Sequence, residues 1–149
     1  MHSRLVRLLF LVAASAAGSS CDERLSSLTG PTPQLTPLFS SIQRDVFDAA
    51  DSSGRPACTQ CHNATRGFIP GGLNLTSGVS YANLVNVPSR GIPGVNRVVP
   101  GDPDNSYLVH KLEGRSGIVG QRMPLGGPFL TEGQMLVLRR WIALGANND

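Results

Sequence analysis

Apolar residues follow two rhythms along this chain. The first is a continuous run, LLFLVAASAAG from Leu8 to Gly18, directly after the basic start MHSRLVR. The second is helical. Phe39, Ile42, Val46 and Phe47 fall three or four apart and mark one face of a helix in TPLFSSIQRDVFDAADSSG. Thr36 suits its N-cap and Pro37 its first helical position, and Gly54 and Pro56 end it. The last helix is the clearest, in LTEGQMLVLRRWIALGA. Met135, Leu138, Trp141 and Ile142 share its apolar face, and Arg139 and Arg140 lie on or near the polar edge. Thr131 and Gln134 stand at capping-box spacing, and Gly145 is its stop. Between these helices, residues 63–122 are rich in Gly and Pro, so only short helices fit. SYANLVNV has Ser80 as its cap; NSYLVHKLEG follows the turn PGDPD and is closed by Gly114. No strand pattern longer than NRVVPG occurs, and no internal repeat. The expected class is all-α.

The first apolar run has the length of a secretory signal and is too short to span a bilayer as a helix. Residues 1–20 are therefore expected to be a signal peptide, and the chain to be exported. Cys21 follows at once, in AAGSSC. The stretch resembles the lipobox of bacterial lipoproteins, with small Ser19 and Ser20 before the cysteine and Gly18 where leucine is usual. Lipidation accounts for an odd cysteine in an exported chain; cleavage nearer ASA would leave Cys21 a free thiol. Asp22 in the next position is a retention signal for the inner membrane in some bacteria. Residues 21–35, rich in Ser, Thr and Pro, read as a tether, and residues 36–149 as the one domain.

Charge changes this picture little. The 149-residue chain carries a formal +3, from thirteen basic and ten acidic residues. Without Arg4 and Arg7 of the signal peptide, eleven basic residues face ten acidic ones. The arginines are scattered, with no basic stripe and few aromatics between them, so no nucleic-acid partner is expected.

The chemistry concentrates in PACTQCHNAT. Cys58, Cys61 and His62 form C-x-x-C-H, the spacing of covalent haem attachment. Two thiols three residues apart on one turn can each reach a vinyl group, and the next residue can present its imidazole to the iron. Competing readings fit less well. A thioredoxin-like dithiol needs a βαβ unit, which the pattern lacks. A Cys58–Cys61 disulfide would close a very short, strained loop. Zinc would need four ligands, for which Cys58, Cys61, His62 and His110 only just suffice.

A second axial ligand would come from His110, Met123 or Met135. Met135 lies on the apolar face of the last helix and reads as core. His110 falls to the side of a short helix and reads as a surface or hydrogen-bonded residue. Met123 stands in the loop GQRMPLGGPFL, with Pro124 beside it, where a loop can aim a thioether while the following helix holds it. Met123 is the expected distal ligand.

CxxCH, the RMPLGG loop and the aromatic-bearing last helix are similar to class I cytochrome c. The stretches GLNL, VVPGDPDNSYLVHKL, RMPLGGPFLT and LRRWIALGA resemble the planctomycete-type cytochrome c domains more closely. The resemblance runs from the first helix to residue 149. It implies a class I cytochrome c fold around one covalent haem c. Cys58 and Cys61 would be the thioether anchors, His62 the proximal and Met123 the distal iron ligand. It also implies a first helix packed across the last, near Gly54 or Ala49 against Trp141. The expected function is single-electron transfer at the periplasmic face, not catalysis. Partners would be redox proteins of a respiratory or dehydrogenase chain, with the membrane reached through Cys21. The alternative is a haem enzyme or gas sensor with a labile distal ligand. Arg97, Arg122 and Tyr81 are candidate donors to the haem carboxylates.

Overall fold

The computed structural model describes residues 30–65 and 67–149. The expected signal peptide, the lipidation site Cys21 and most of the expected tether lie outside them.

Among the described residues the molecule is all-α, with short helices on long loops. Only isolated β-bridges occur there, Val85 with Val98, Pro88 with Asn96 and Val99 with Asp102. Helix α1, Phe39–Ile42, runs on into a π-helical turn, Gln43–Phe47, in which the Asp48 amide donates to the Gln43 carbonyl. Helix α2 is Ser80–Leu84, α3 is Tyr107–Glu113 and α4 is Glu132–Ala143. The apolar faces expected of the first and last helices are the core. Phe39, Ile42, Val46 and Phe47 meet Met135, Leu138, Trp141 and Ile142, all buried. Burying each such large side chain contributes about 1.5–3 kcal/mol.

The first and last helices touch through Phe39, which also meets Tyr81 of α2. The Phe39 ring centroid lies 5.3 Å from that of Trp141 and 5.2 Å from that of Tyr81. Gly54 takes no part, since a Cβ built there would touch nothing. The start of α1 also differs from the expected cap. Thr36 does not cap it, and the cap position is Leu38, without a side-chain bond. The Phe39 amide donates to Asp149 Oδ1 at 2.6 Å and the Ser40 amide to the Asp149 carbonyl at 3.0 Å. An anionic residue 110 positions away thus satisfies the orphan N–H groups.

Two further expectations shift. Ser80 does not cap α2; its hydroxyl donates to Gln43 Oε1 and joins α2 to the turn after α1. Residues 30–35 are laid on the domain and are not free tether. Leu35 is 1% exposed, and Thr32 Oγ1 accepts from Gln134 Nε2 at 3.0 Å. The capping box of α4 is as the sequence predicts. Gln134 N–H donates to Thr131 Oγ1 and Thr131 N–H to Gln134 Oε1. Gly114 closes α3 in the left-handed conformation, also as expected.

Candidate functional site

The CxxCH segment is built as the cap of the first helix. The last carbonyls of a helix need donors, and here they come from residues 55–59. Arg55, fully buried, donates to the carbonyls of Asp45, Val46 and Ala49 and pairs with Asp51 at 2.8 Å. Cys58 Sγ lies 3.4 Å from the Val46 carbonyl, and Thr59 Oγ1 donates to that of Phe47 at 3.1 Å. Cys58–Gln60 then forms a 3-10 turn, and the amides of Cys61 and His62 both donate to the Cys58 carbonyl. Two thiols and an imidazole are thereby gathered on one turn. Burial pushes the Cys58 thiol up to about 11, against the pull of the Arg55 cation, whereas Cys61 is exposed.

His62 is held from both sides by GLNL. Its carbonyl accepts from the Leu75 amide at 2.9 Å, and its ring Nδ1 lies 3.2 Å from the Leu73 carbonyl. A carbonyl only accepts, so Nδ1 carries the proton and Nε2 keeps its lone pair. Burial lowers the His62 pKa, and the nearby cations Arg97 and Lys111 lower it further, against its backbone bonds to Leu73 and Pro70. A neutral, Nδ1-protonated imidazole is the form that binds a metal through Nε2.

Cys58, Cys61 and His62 line one cavity of about 500 Å³, and Met123 lines it too. That size falls within the range of roughly 300–1,000 Å³ usual for cofactor sites. Met123 is brought there by α3, whose Lys111 carbonyl accepts the Met123 amide at 2.8 Å. The Lys111 ammonium donates to the carbonyls of Val119 and Gln121, which fixes the approach to the loop. The other two candidate ligands are elsewhere. Met135 is packed in the core, and His110 Nε2 lies 2.6 Å from the Asp104 carbonyl; neither lines the cavity.

The wall is mainly apolar, with Phe47, Leu75, Leu84 and Leu108 among its residues. Among the described residues it also carries three cations, Arg90, Arg97 and Lys111, and no acidic side chain. Arg97 is buried, and among the described residues its guanidinium donates to neutral carbonyls, Asn83 at 2.6 Å and Gly71 at 3.0 Å, and to no carboxylate. A buried cation without a counter-charge calls for an anionic partner. Arg90 lies across Gly72, whose absent Cβ leaves the room; one built there would clash with the guanidinium. An apolar cofactor with carboxylates at one edge and a metal taking one nitrogen and one sulfur fits this donor set. The residues present therefore fit a haem c. Of the three candidate carboxylate donors, Arg97 lines the cavity. Tyr81 instead donates to the Ala146 carbonyl, and Arg122 to that of Leu112.

A second depression, about 380 Å³ between Phe39 and Asp149, holds no thiol, imidazole or thioether. Sequence reasoning missed Arg55, which organises the CxxCH turn, and Arg90 and Lys111 on the wall. Arg55 stands three residues before Cys58, a proximity that could have marked it. No comparable signal marks the other two. No protein-family model, curated protein or solved structure matches the chain.

Proposed function

We propose that this chain is an exported monohaem c-type cytochrome of the class I fold that carries single electrons. Cys58 and Cys61 are its thioether anchors, and His62 and Met123 its axial ligands. The observation that carries the reading is one largely apolar cavity lined by the CxxCH turn and by Met123. When bound, the haem supplies a reversible one-electron iron couple, whose potential methionine–histidine ligation raises.

The chain's own residues do the rest. The Leu73 carbonyl keeps the proton on Nδ1 of His62 and so directs Nε2 to the metal. The Lys111 carbonyl pins the Met123 backbone. Arg97 and Arg90, on the cavity wall, would hold the haem carboxylates. The apolar lining excludes water, which limits reorganisation around a change of charge. With His62 and Met123 both holding the iron, the closed loop would leave no position for a substrate, so the role is transfer to redox partner proteins and not catalysis. Cys21 carries the lipid that keeps the domain at the membrane. Among the described residues no helix is long and apolar enough to cross one.

Extraction with acid–acetone tests the attachment. Colour stays with the protein if Cys58 and Cys61 hold the haem, and moves to the organic phase if they do not. The ferric visible spectrum tests the ligands. A methionine-to-iron charge-transfer band is expected, whereas a high-spin spectrum that takes up carbon monoxide readily would replace the carrier with an enzyme or sensor. Mass spectrometry of the mature N-terminus tests the anchor, and an unmodified peptide spanning Ser20 to Asp22 would rule it out.

A further inference from the structure

Met123 sits at the start of a loop with little regular structure of its own. Residues 123–128 include Gly126 and Gly127, and the loop's one internal backbone bond runs from the Gly127 amide to the Pro124 carbonyl. The two residues that bracket it, Arg122 and Phe129, meet. The Arg122 guanidinium carbon lies 3.9 Å from the centroid of the Phe129 ring. Phe129 is 42% exposed, so it is not a core anchor, and its partner is this cation. Arg122 Nε also donates to the Leu112 carbonyl at 2.7 Å, one of the orphan acceptors in the last turn of α3. The side chain crosses the helix end over Gly114. A Cβ there would stand 2.8 Å from Arg122 Cδ, so Gly114 serves both as the left-handed stop and as the passage for this arm.

We infer that Arg122 and Phe129 form a clasp that sets how firmly the Met123 thioether is held, which makes Arg122 a positioning residue for the ligand beside it. The inference rests on the reading of Met123 as an axial ligand. The clasp joins the two ends of the loop to each other and to α3. One residue on, the Met123 amide is bonded to the Lys111 carbonyl. Neither Arg122 nor Phe129 lines the cavity. Removing either leaves the haem wall untouched and acts only on the balance between loop closed and loop open. An external ligand competes for the metal only in the open state, so its apparent affinity reports the open fraction.

The test is an imidazole titration of the ferric, haem-loaded full chain, with the charge-transfer band and the melting temperature recorded alongside. Arg122→Leu loses a charge-assisted hydrogen bond and the ring contact, and is expected to tighten imidazole binding by about tenfold. Phe129→Leu keeps the hydrogen bond and loses the ring, for a gain of roughly threefold. Phe129→Tyr restores a ring and should return the affinity to that of the parent. The band should persist in all three, since the sulfur stays bound when no competitor is present. An unchanged imidazole affinity in Arg122→Leu, beside an intact band, overturns the clasp. So does a fall in melting temperature with no change in affinity, or loss of haem from Arg122→Leu together with parental affinity in Phe129→Leu, because the role is then structural. A parent protein without the band, whose imidazole affinity does not change in Met123→Ala, overturns the axial reading itself and the clasp with it.

Discussion

Met123 and Met135 share a side chain and differ in everything that surrounds it. Met135 is 8% exposed on a twelve-residue helix, packed into the core. Met123 is half-buried at the foot of a loop and lines the cavity. If the chain is the proposed c-type cytochrome, Met123→Ala is expected to keep the haem, to lose the charge-transfer band and to lower the reduction potential, since sulfur ligation favours the ferrous state. Met135→Leu should leave the spectrum unchanged and cost under about 1.5 kcal/mol of stability, as a near-isosteric core exchange. Potentiometry and thermal melts of the two variants check both. The opposite pattern would move the axial assignment to Met135. The loop context of Met123 was legible in the sequence, because Pro124 and the glycines around it exclude a helix. Its backbone partner, the Lys111 carbonyl, was not, because no side-chain pattern marks which carbonyl an amide will meet.

At the scale of elements, the two long-range helices are capped in contrasting ways. α4 carries its own capping box, so Thr131→Ala removes a local bond and should cost about 1 kcal/mol. α1 takes its cap from Asp149, so Asp149→Ala should cost about as much, although nothing near Phe39 changes. Thr36→Val at the position the sequence favours should cost much less, because its side chain makes no cap bond to the helix. Denaturant melts of the three variants rank them, and a Thr36 effect as large as that of Asp149 would contradict the observed cap. The other end of α1 follows the same logic. Its free carbonyls are taken by Arg55 and Thr59, with Cys58 Sγ beside that of Val46, so the helix end and the CxxCH turn form one unit.

The whole molecule inherits an acid sensitivity from that unit. Burial alone would raise the Asp51 pKa, but the hydroxyl and amide of Ser53 and the Arg55 guanidinium outweigh it. Together they lower it from 3.8 to about 2. A depressed carboxylate stabilises the fold at any pH above its unfolded value, here by about 2 kcal/mol, and loses that contribution as pH falls through the folded value. Stability should therefore drop between about pH 4 and pH 2, and Asp51→Asn should flatten the drop while lowering the neutral-pH plateau; melts across that range measure both. An acid limb unchanged in Asp51→Asn would place the sensitivity elsewhere. The sequence by itself determined the all-α class, the apolar faces of the first and last helices, the capping box at Thr131 and the CxxCH and Met123 motifs. Each of these depends on residues within a turn or two of one another, where spacing is geometry. Only the tertiary structure decided that CxxCH and Met123 line one cavity and that Asp149 caps the first helix. It also decided that Leu35 belongs to the core, and that Arg97 stands buried on the wall without a counter-charge among the described residues. Those facts depend on chain closure over tens of residues, in which a carbonyl or a lone side chain finds a partner that no local periodicity encodes.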